Sequence, residues 1–218
     1  MTTGEQRRVD DGAKRFASVG ATPTHVVGNM AGTPIAAAAR HFEQKYGRAA
    51  ASDVVTRIPA RWRELLRPNT EAMGLLGSRW YPYAFLADWI YTAKIVVHAP
   101  DEDAFIRELA WAGIDGSMST GMRAMARWLG SPRAFAEHSQ ESWRLFHDTG
   151  IVSVTTIGEH ELRRRVVDWQ GHNVVVCKVV AEVFTRTFSK TGVREARCRR
   201  EECVGWGHKA CVFHITWR

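Results

Sequence analysis

Apolar residues in the first half of the chain recur three or four positions apart, which is the period of an amphipathic α-helix. Pro34, preceded by the candidate cap Thr33, predicts the start of a first helix that ends at Gly47. Two shorter helical segments are predicted at 49–57 and 59–66. The polar stretch that precedes them is rich in glycine and threonine and shows no period, so we expect an irregular lead-in there.

Three more helices are predicted before residue 150. One opens at Pro82, a long one spans 101–128, and Ser131 caps a third that ends at Gly150. Small residues along the long helix would let a neighbouring element approach closely. These residues are Gly113, Gly116 and Gly121.

The period of the pattern changes after residue 150. Segments 151–157 and 161–169 are rich in Val, Ile and Thr, which predicts an antiparallel hairpin. Helical spacing returns over 174–188, and two final strands are predicted at 193–200 and 209–217. The pattern favours an α+β fold, in which a helical N-terminal part packs on a C-terminal antiparallel sheet with one inserted helix.

The composition is typical of a folded protein from a reducing compartment. Of its 218 residues, 45% are apolar, which is enough for a substantial core. No apolar stretch is long enough to span a bilayer, and the N-terminus lacks the apolar run of a secretory signal. We therefore expect a cytoplasmic protein, in which the four cysteines are better candidates for metal ligands than for disulfides.

The net charge of +7 arises from 30 Lys and Arg against 23 Asp and Glu. A basic surface can attract nucleic acid. Here, however, the arginines come in short bursts at 61–67, 163–165 and 194–200, interleaved with glutamate. We interpret these bursts as a solvated surface and expect no nucleic-acid partner.

Three cysteines near the C-terminus are predicted to converge. Cys177 lies on the apolar face of its predicted helix, and Cys211 shares strand parity with Phe213 and Ile215. Cys203 lies at the start of the connection between the last two strands, where the chain can aim a thiolate at the same point. Zinc binds such thiolates tetrahedrally, so a structural zinc site is one hypothesis for these residues.

The fourth ligand in this hypothesis is open. Cys198 is the first candidate, because its strand parity places it opposite the charged Arg197 and Arg199, and Glu201 or Glu202 is the other option. The sequence contains no paired C-x-x-C signature. Four reduced, buried cysteines that act as small apolar residues are therefore the alternative hypothesis.

The C-terminal tail resembles a known family. The sequence from Cys203 to Trp217, together with Cys177 on the preceding helix, is similar to the 4-vinyl-reductase-type domain. That domain is the ligand-sensing module of bacterial aromatic-responsive transcription activators, and it is related to subunits of the TRAPP transport complex and to haem-based nitric-oxide sensor domains. The tail is also similar to an uncharacterised bacterial family.

The resemblance implies that the three converging cysteines bind zinc, but it leaves the fourth ligand unassigned. A glutamate completes the site in the activator branch, and Arg200 stands at that position here. The resemblance extends over 74–218, which implies a ligand-binding domain of the 4-vinyl-reductase type there. The pattern of the chain predicts the two preceding segments, an irregular lead-in at 1–33 and a helical segment at 34–73.

Related domains are similar in holding a small apolar molecule between helices and sheet, and this sequence has suitable side chains for such a cavity. The candidate ligand contacts on predicted inward faces are Trp80, Trp89, Trp111, Trp128, Trp143, Phe146 and His147. Aromatic residues at helical spacing are also ordinary core residues, and a histidine at a helix end can be a partner of the helix dipole.

The function implied by the resemblance is that of a cytoplasmic sensor-type protein. It would bind a hydrophobic or aromatic small molecule, form a homodimer and report to a signalling protein partner. A ligand-free interaction module, like the TRAPP subunits, is the first alternative. An enzyme acting on a tetrapyrrole or another apolar substrate is a further alternative that only the family name suggests, since the sequence has no recognisable catalytic motif.

Overall fold

The computed structural model describes residues 28–118 and 131–218. The elements in these two parts are β1 (Asn29–Ala31), α1 (Gly32–Arg57), β2 (Trp80–Pro82), α2 (Tyr83–Val96), α3 (Glu102–Met118), α4 (Pro132–Glu137), α5 (Ser139–Arg144), β3 (Ile151–Gly158), β4 (Glu161–Val167), α6 (Val174–Lys190), β5 (Arg197–Glu202) and β6 (Cys211–Thr216). The predicted α+β class is confirmed. No helix in the described parts is both long enough and apolar enough to cross a bilayer.

Strands β3 to β6 form one antiparallel sheet in the order β3-β4-β6-β5, so the predicted hairpin and the two final strands are confirmed. β4 alternates between exposed and buried positions, and Leu162, Arg164 and Val166 are the buried ones. Across the ladder, Arg164 lies opposite Phe213 of β6. Arg164 therefore lies in a row of apolar side chains. It belongs to the arginine burst at 163–165, which the sequence pattern led us to interpret as solvated surface.

Helix α6 covers the inner face of the sheet. Asn173 caps it by accepting a hydrogen bond from the backbone N–H of Val175. Its apolar side is buried, and the rings of Phe184 and Phe213 meet edge to face with centroids 5.3 Å apart. Each large apolar side chain that this contact buries contributes ~1.5–3 kcal/mol, so the helix and the sheet are held together by their shared core.

Helix α1 begins earlier than predicted and is broken where a stop is predicted. It starts at Gly32, and the Thr33 hydroxyl donates to the carbonyl of Gly77 (3.0 Å) instead of capping the helix. Gly47 adopts φ 87°, in the left-handed region that glycine tolerates. The two segments predicted on either side of Gly47 therefore form one broken helix.

A short ribbon near the N-terminus has no counterpart among the predicted elements. β1 pairs with β2 on one side, and on the other side Met30 forms a bridge with His147. The backbone N–H and the side-chain amide of Asn29 both donate to the carboxylate of Asp148, each at 2.6 Å. The lead-in predicted as irregular thus ends in a strand that ties the start of α1 to residues 146–148.

The helix predicted after Ser131 is two short helices. The Ser131 hydroxyl accepts from the backbone N–H of Ala134, which confirms the predicted cap. His138, with φ −107°, separates α4 from α5.

The predicted segment boundaries at residues 33 and 73 stay predictions.

The predicted close approach to the long helix is confirmed at two of its three glycines. A Cβ at Gly113 would lie 2.8 Å from the carbonyl oxygen of Pro34, and one at Gly116 would lie 2.6 Å from the Cβ of Ala37. Both positions let α1 pack directly on the backbone of α3. Gly121 and the rest of the predicted helix to residue 128 lie outside the described residues.

Gly113→Val is expected to lower the free energy of unfolding by about 1–3 kcal/mol, because the new side chain collides with the α1 backbone. Urea unfolding followed by circular dichroism measures the change. Ala104→Val is the matched control, since Ala104 is an exposed position of the same helix. A loss in Gly113→Val no larger than that in Ala104→Val would contradict the collision, because helix propensity itself favours valine over glycine.

Candidate functional site: a cysteine–histidine cluster and an apolar cavity

Three cysteines and one histidine meet at the end of α6 nearest its N-terminus. The ligand atoms of His172, Cys177, Cys203 and Cys211 all lie within 4.8 Å of one another, and the three cysteines are buried. His172 precedes α6, Cys177 lies in its first turn, Cys203 follows β5 and Cys211 begins β6. The convergence of three thiols rests on the topology, because α6 crosses the strands at the point where β5 ends and β6 starts.

The spacing of the ligand atoms in the cluster is close enough for one metal ion to bind them all. The distance from Cys203 Sγ to His172 Nε2 is 3.5 Å, close to the ~3.5 Å expected between sulfur and nitrogen ligands of one zinc ion. The backbone N–H of Val204 donates to Cys211 Sγ at 3.5 Å, as is common for metal-bound thiolates. Gly205 lies beside these residues. A larger residue there would collide with Val174, because its Cβ would lie 2.2 Å from Val174 Cγ2.

The hydrogen bonds among the thiols of the cluster shift their pKa values. All four cysteines of the chain are free thiols. Hydrogen bonds from Cys177 and Cys211 lower the pKa of Cys203, whereas the hydrogen bond with Cys203 raises the pKa of Cys177. One sulfur is thus the favoured thiolate and the first ligand for a cation. Four protein ligands around one ion would leave no open coordination position, which is the pattern of structural zinc sites.

The predicted fourth ligands are not in the cluster. Cys198 lies in β5 beside Lys178, Glu182 and Arg200, and it is absent from the group of ligand atoms. The carboxylate of Glu201 accepts from Arg163 Nε at 2.7 Å instead. The structure brings His172, and not Cys198, to the three cysteines. His172 lies in a loop, where the sequence has no period to indicate its direction. The Trp169 ring packs edge-on against the His172 ring at 5.0 Å.

An interior cavity lies between the helices and the sheet, further along α6. Its volume is about 50 Å³. It is lined by Met30, Pro34, Ile114, Phe135, Ser142, Trp143, Phe146, His147, Arg164, Val180, Val183, Phe184 and Thr187. The lining is mostly apolar with a few polar groups, as in binding sites for small molecules.

The candidate ligand contacts are divided among several places. Trp143, Phe146 and His147 line the cavity. Trp89 is fully buried and borders a smaller neighbouring cavity of about 30 Å³. Trp111 lies in a groove on the outer face, under the guanidinium of Arg186 at 5.0 Å.

One of the candidate contacts lies at the surface. Trp80 is 44% exposed, because its strand β2 turns it outward, so its predicted inward position is wrong. Trp128 lies outside the described residues.

His147 is enclosed by aromatic rings. Its ring stacks on that of Trp143 with centroids 3.7 Å apart, and its Nδ1 shares a hydrogen bond of 3.0 Å with the Tyr83 hydroxyl. Burial, and secondarily the positive charge of Arg164, holds the pKa of His147 well below its usual value. The imidazole is therefore neutral at neutral pH, and it is a hydrogen-bonding group of the cavity wall.

Arg164 is the functional candidate that sequence analysis missed. Its guanidinium is surrounded by aromatic rings, with Phe184 at 4.4 Å and Phe135 and Trp143 at 5.2 Å from Cζ. Its Nη2 donates to the carbonyl of Ser139 at 3.1 Å. The alternation of Leu162, Arg164 and Val166 along β4 is the signal that could have placed it inside.

The fold is that of the H-NOX domains. An H-NOX protein from S. oneidensis in the Fe(II)NO ligation state matches with a TM-score of 0.64 and 8% identity over 87% of this chain and 99% of its own. An Fe(II) unliganded H-NOX protein from K. algicida matches at 0.61 with 11% identity, over 87% and 97%. An oxygen-binding H-NOX domain related to soluble guanylate cyclases matches at 0.59 with 10% identity, over 87% and 95%.

These likenesses confirm, for the fold, the relation to haem-based nitric-oxide sensor domains. No family model and no curated protein matches the chain, so the narrower assignment to the 4-vinyl-reductase type or to the TRAPP subunits is not confirmed.

The described residues do not fit a haem group. A cavity that buries a ligand of drug size measures ~300–1,000 Å³, whereas the interior cavity has about 50 Å³. The outer groove is larger, about 460 Å³, but its lining is charged. Its side chains pair with each other, His41 with Glu108 at 2.9 Å and Arg186 with Asp115 at 3.0 Å.

The buried His147 gives a prediction for acid stability. Because its folded pKa lies below its unfolded pKa, the unfolded chain binds one more proton as the pH falls through ~6.5. This residue is expected to lower the free energy of unfolding by up to ~1.4 kcal/mol per pH unit below that point. Urea unfolding from about pH 7.5 to about pH 5 measures the slope.

His147→Gln removes the titrating group and keeps a partner for Tyr83, so the slope should become smaller in this variant. The control His160→Gln changes an exposed histidine and should leave the slope as it is. Identical slopes in the wild type and in His147→Gln would contradict the assigned direction of the pKa shift.

Proposed function

We propose that this chain is a sensor-type domain that binds a small hydrophobic molecule in the interior cavity. The observation that carries the proposal is the cavity itself, an apolar space between helices and sheet into which Arg164 and His147 bring polar atoms. The H-NOX fold supports a small-molecule sensor, since one similar protein is known in an Fe(II)NO ligation state and another as an oxygen complex. A cytoplasmic location, a homodimer and a signalling partner belong to the same proposal.

The ligand we propose is an organic molecule and not haem. The described lining leaves room for a small molecule only, and His147 is already stacked on Trp143 and bonded to Tyr83. A shared fold does not carry the chemistry of its other members. No step of the proposed function passes through an iron centre.

We also propose that His172 and the three clustered cysteines bind one structural zinc ion. The donor set supports zinc, because it combines three soft thiolates with an imidazole at tetrahedral spacing. Three thiolates, one neutral imidazole and Zn²⁺ would carry a net charge of about −1. The ion would join the start of α6 to β5 and β6, so its binding would contribute to the folding of the C-terminal part.

Cys203→Ser tests the zinc site. The variant is expected to lose the metal found by inductively coupled plasma mass spectrometry, one zinc per chain in the wild type. Its free energy of unfolding should fall by ~3 kcal/mol or more, which corresponds to a decrease in Tm of roughly 6–12 °C for a chain of this size. Cys198→Ser is the control, since this cysteine lies outside the cluster and should retain the zinc.

A wild-type chain purified without chelators and containing no zinc would refute the metal proposal. Equal zinc content in the two serine variants would refute the assignment of the ligands.

Val183→Phe tests the cavity. Val183 lines both interior cavities, so a phenylalanine there should fill them and weaken the binding of the probes 1-butanol and butanone at least ~10-fold in calorimetric titrations. Val175→Phe is the control on the same helix, at a residue that lines neither cavity. If the wild type binds neither probe, and native mass spectrometry finds no co-purified molecule, the ligand-free interaction module becomes the better hypothesis.

A further inference from the structure

We propose that the cavity binds a short-chain aliphatic carboxylate and that Arg164 recognises its negative charge. This inference rests on the proposed function, because it names the chemical class of the small molecule. It also assigns a role to a charged residue that the fold alone does not require.

The first argument is that Arg164 has no counter-charge. Its side chain is 1% exposed, and among the described residues no acidic side chain forms an ion pair with it. One of its donors, Nε, has no hydrogen-bond partner in the described parts of the chain, and neither does the hydroxyl of the adjoining Ser139. A buried, unpaired charge is strongly unfavourable. A carboxylate in the cavity would accept from Nε and supply the missing charge.

The second argument is the net charge of the cavity. Burial lowers the pKa of Arg164 to about 9, so its guanidinium is still protonated at neutral pH. The other titratable group of the lining, His147, is neutral there because burial lowers its pKa. The cavity thus holds one positive charge, which a monocarboxylate neutralises. A phosphate dianion would leave an excess negative charge among apolar side chains.

The aromatic rings around Arg164 offer a competing explanation. Phe135, Trp143 and Phe184 present rings to the guanidinium, and such cation–π contacts stabilise a buried charge in part. They give Nε no hydrogen-bond acceptor, however, and Nε is the donor that an anion in the cavity would engage.

The third argument is size. An apolar cavity of ~150 Å³ holds a benzene molecule, and this cavity has about 50 Å³. Butyrate has as many non-hydrogen atoms as benzene, so the shorter acids acetate and propionate match that space better than butyrate or an aromatic acid. Their alkyl chains would contact Ile114, Val180 and Phe184 of the lining.

The test is a calorimetric titration of the full chain with sodium propionate and with propionamide, an uncharged molecule of nearly the same shape. Propionate is expected to bind the wild type roughly 10-fold to 100-fold more tightly, as for a charge-assisted hydrogen bond. Arg164→Met should abolish this preference, whereas Arg165→Met should keep it. Arg165 is the matched control because it is the next residue of the strand and is exposed.

The Arg164→Met variant also carries a stability readout. Replacing a buried, unpaired charge with an apolar side chain is often neutral or stabilising, so the ligand-free variant should melt no lower than the wild type. A structural role for Arg164 predicts the opposite, a decrease in Tm together with unchanged ligand preference. The wild-type comparison of propionate with propionamide needs no variant, so it decides the question even if Arg164→Met does not fold.

The outcomes separate this inference from the proposed function. Equal binding of propionate and propionamide to the wild type, or a propionate preference that survives Arg164→Met, would overturn the carboxylate inference and leave the binding function in place. Binding of 1-butanol or butanone without binding of propionate would do the same. Failure of every probe to bind would overturn both.

Discussion

The contact between α6 and the inner face of the sheet is the interaction on which both candidate sites depend. Cys177, in the first turn of α6, reaches Cys211 at the start of β6, and Phe184, two turns later, packs on Phe213 of the same strand. Across the ladder, Arg164 lies opposite Phe213. A rotation or slide of the helix would move both sets of side chains together. The cluster and the cavity are thus positioned by one packed surface, and each limits the freedom of the other.

The H-NOX fold and the small cavity show that one architecture can enclose different sets of interior side chains. The fold is shared with the H-NOX proteins at about 10% identity, so most side chains differ between them. Here the space between helices and sheet is occupied by stacked rings, with His147 between Trp143, Tyr83 and Trp169. The fold limits where a ligand can sit, while the side chains determine its size and charge.

The periodic parts of the molecule could be predicted from the sequence, and the aperiodic parts could not. The hairpin, α6 and the convergence of three cysteines follow from strand alternation and helical spacing, which are local signals. β1 and β2 have three residues each, too short for a period. His172 lies in a loop, where no alternation indicates a direction. The buried position of Arg164 was not predicted. An arginine burst is typical of a solvated surface, and this signal was given more weight than the strand parity that Arg164 shares with the apolar residues of β4.

The pairing of Asn29 with Asp148 joins residues 119 positions apart. Closing a loop of that length has an entropic cost, and long-range closure of this kind slows folding. During synthesis, α1 can complete its N-terminal contacts only after residue 148 has left the ribosome. A fragment that ends before residue 146 would keep the pairing of β1 with β2 but would lack the contacts of β1 with residues 146–148.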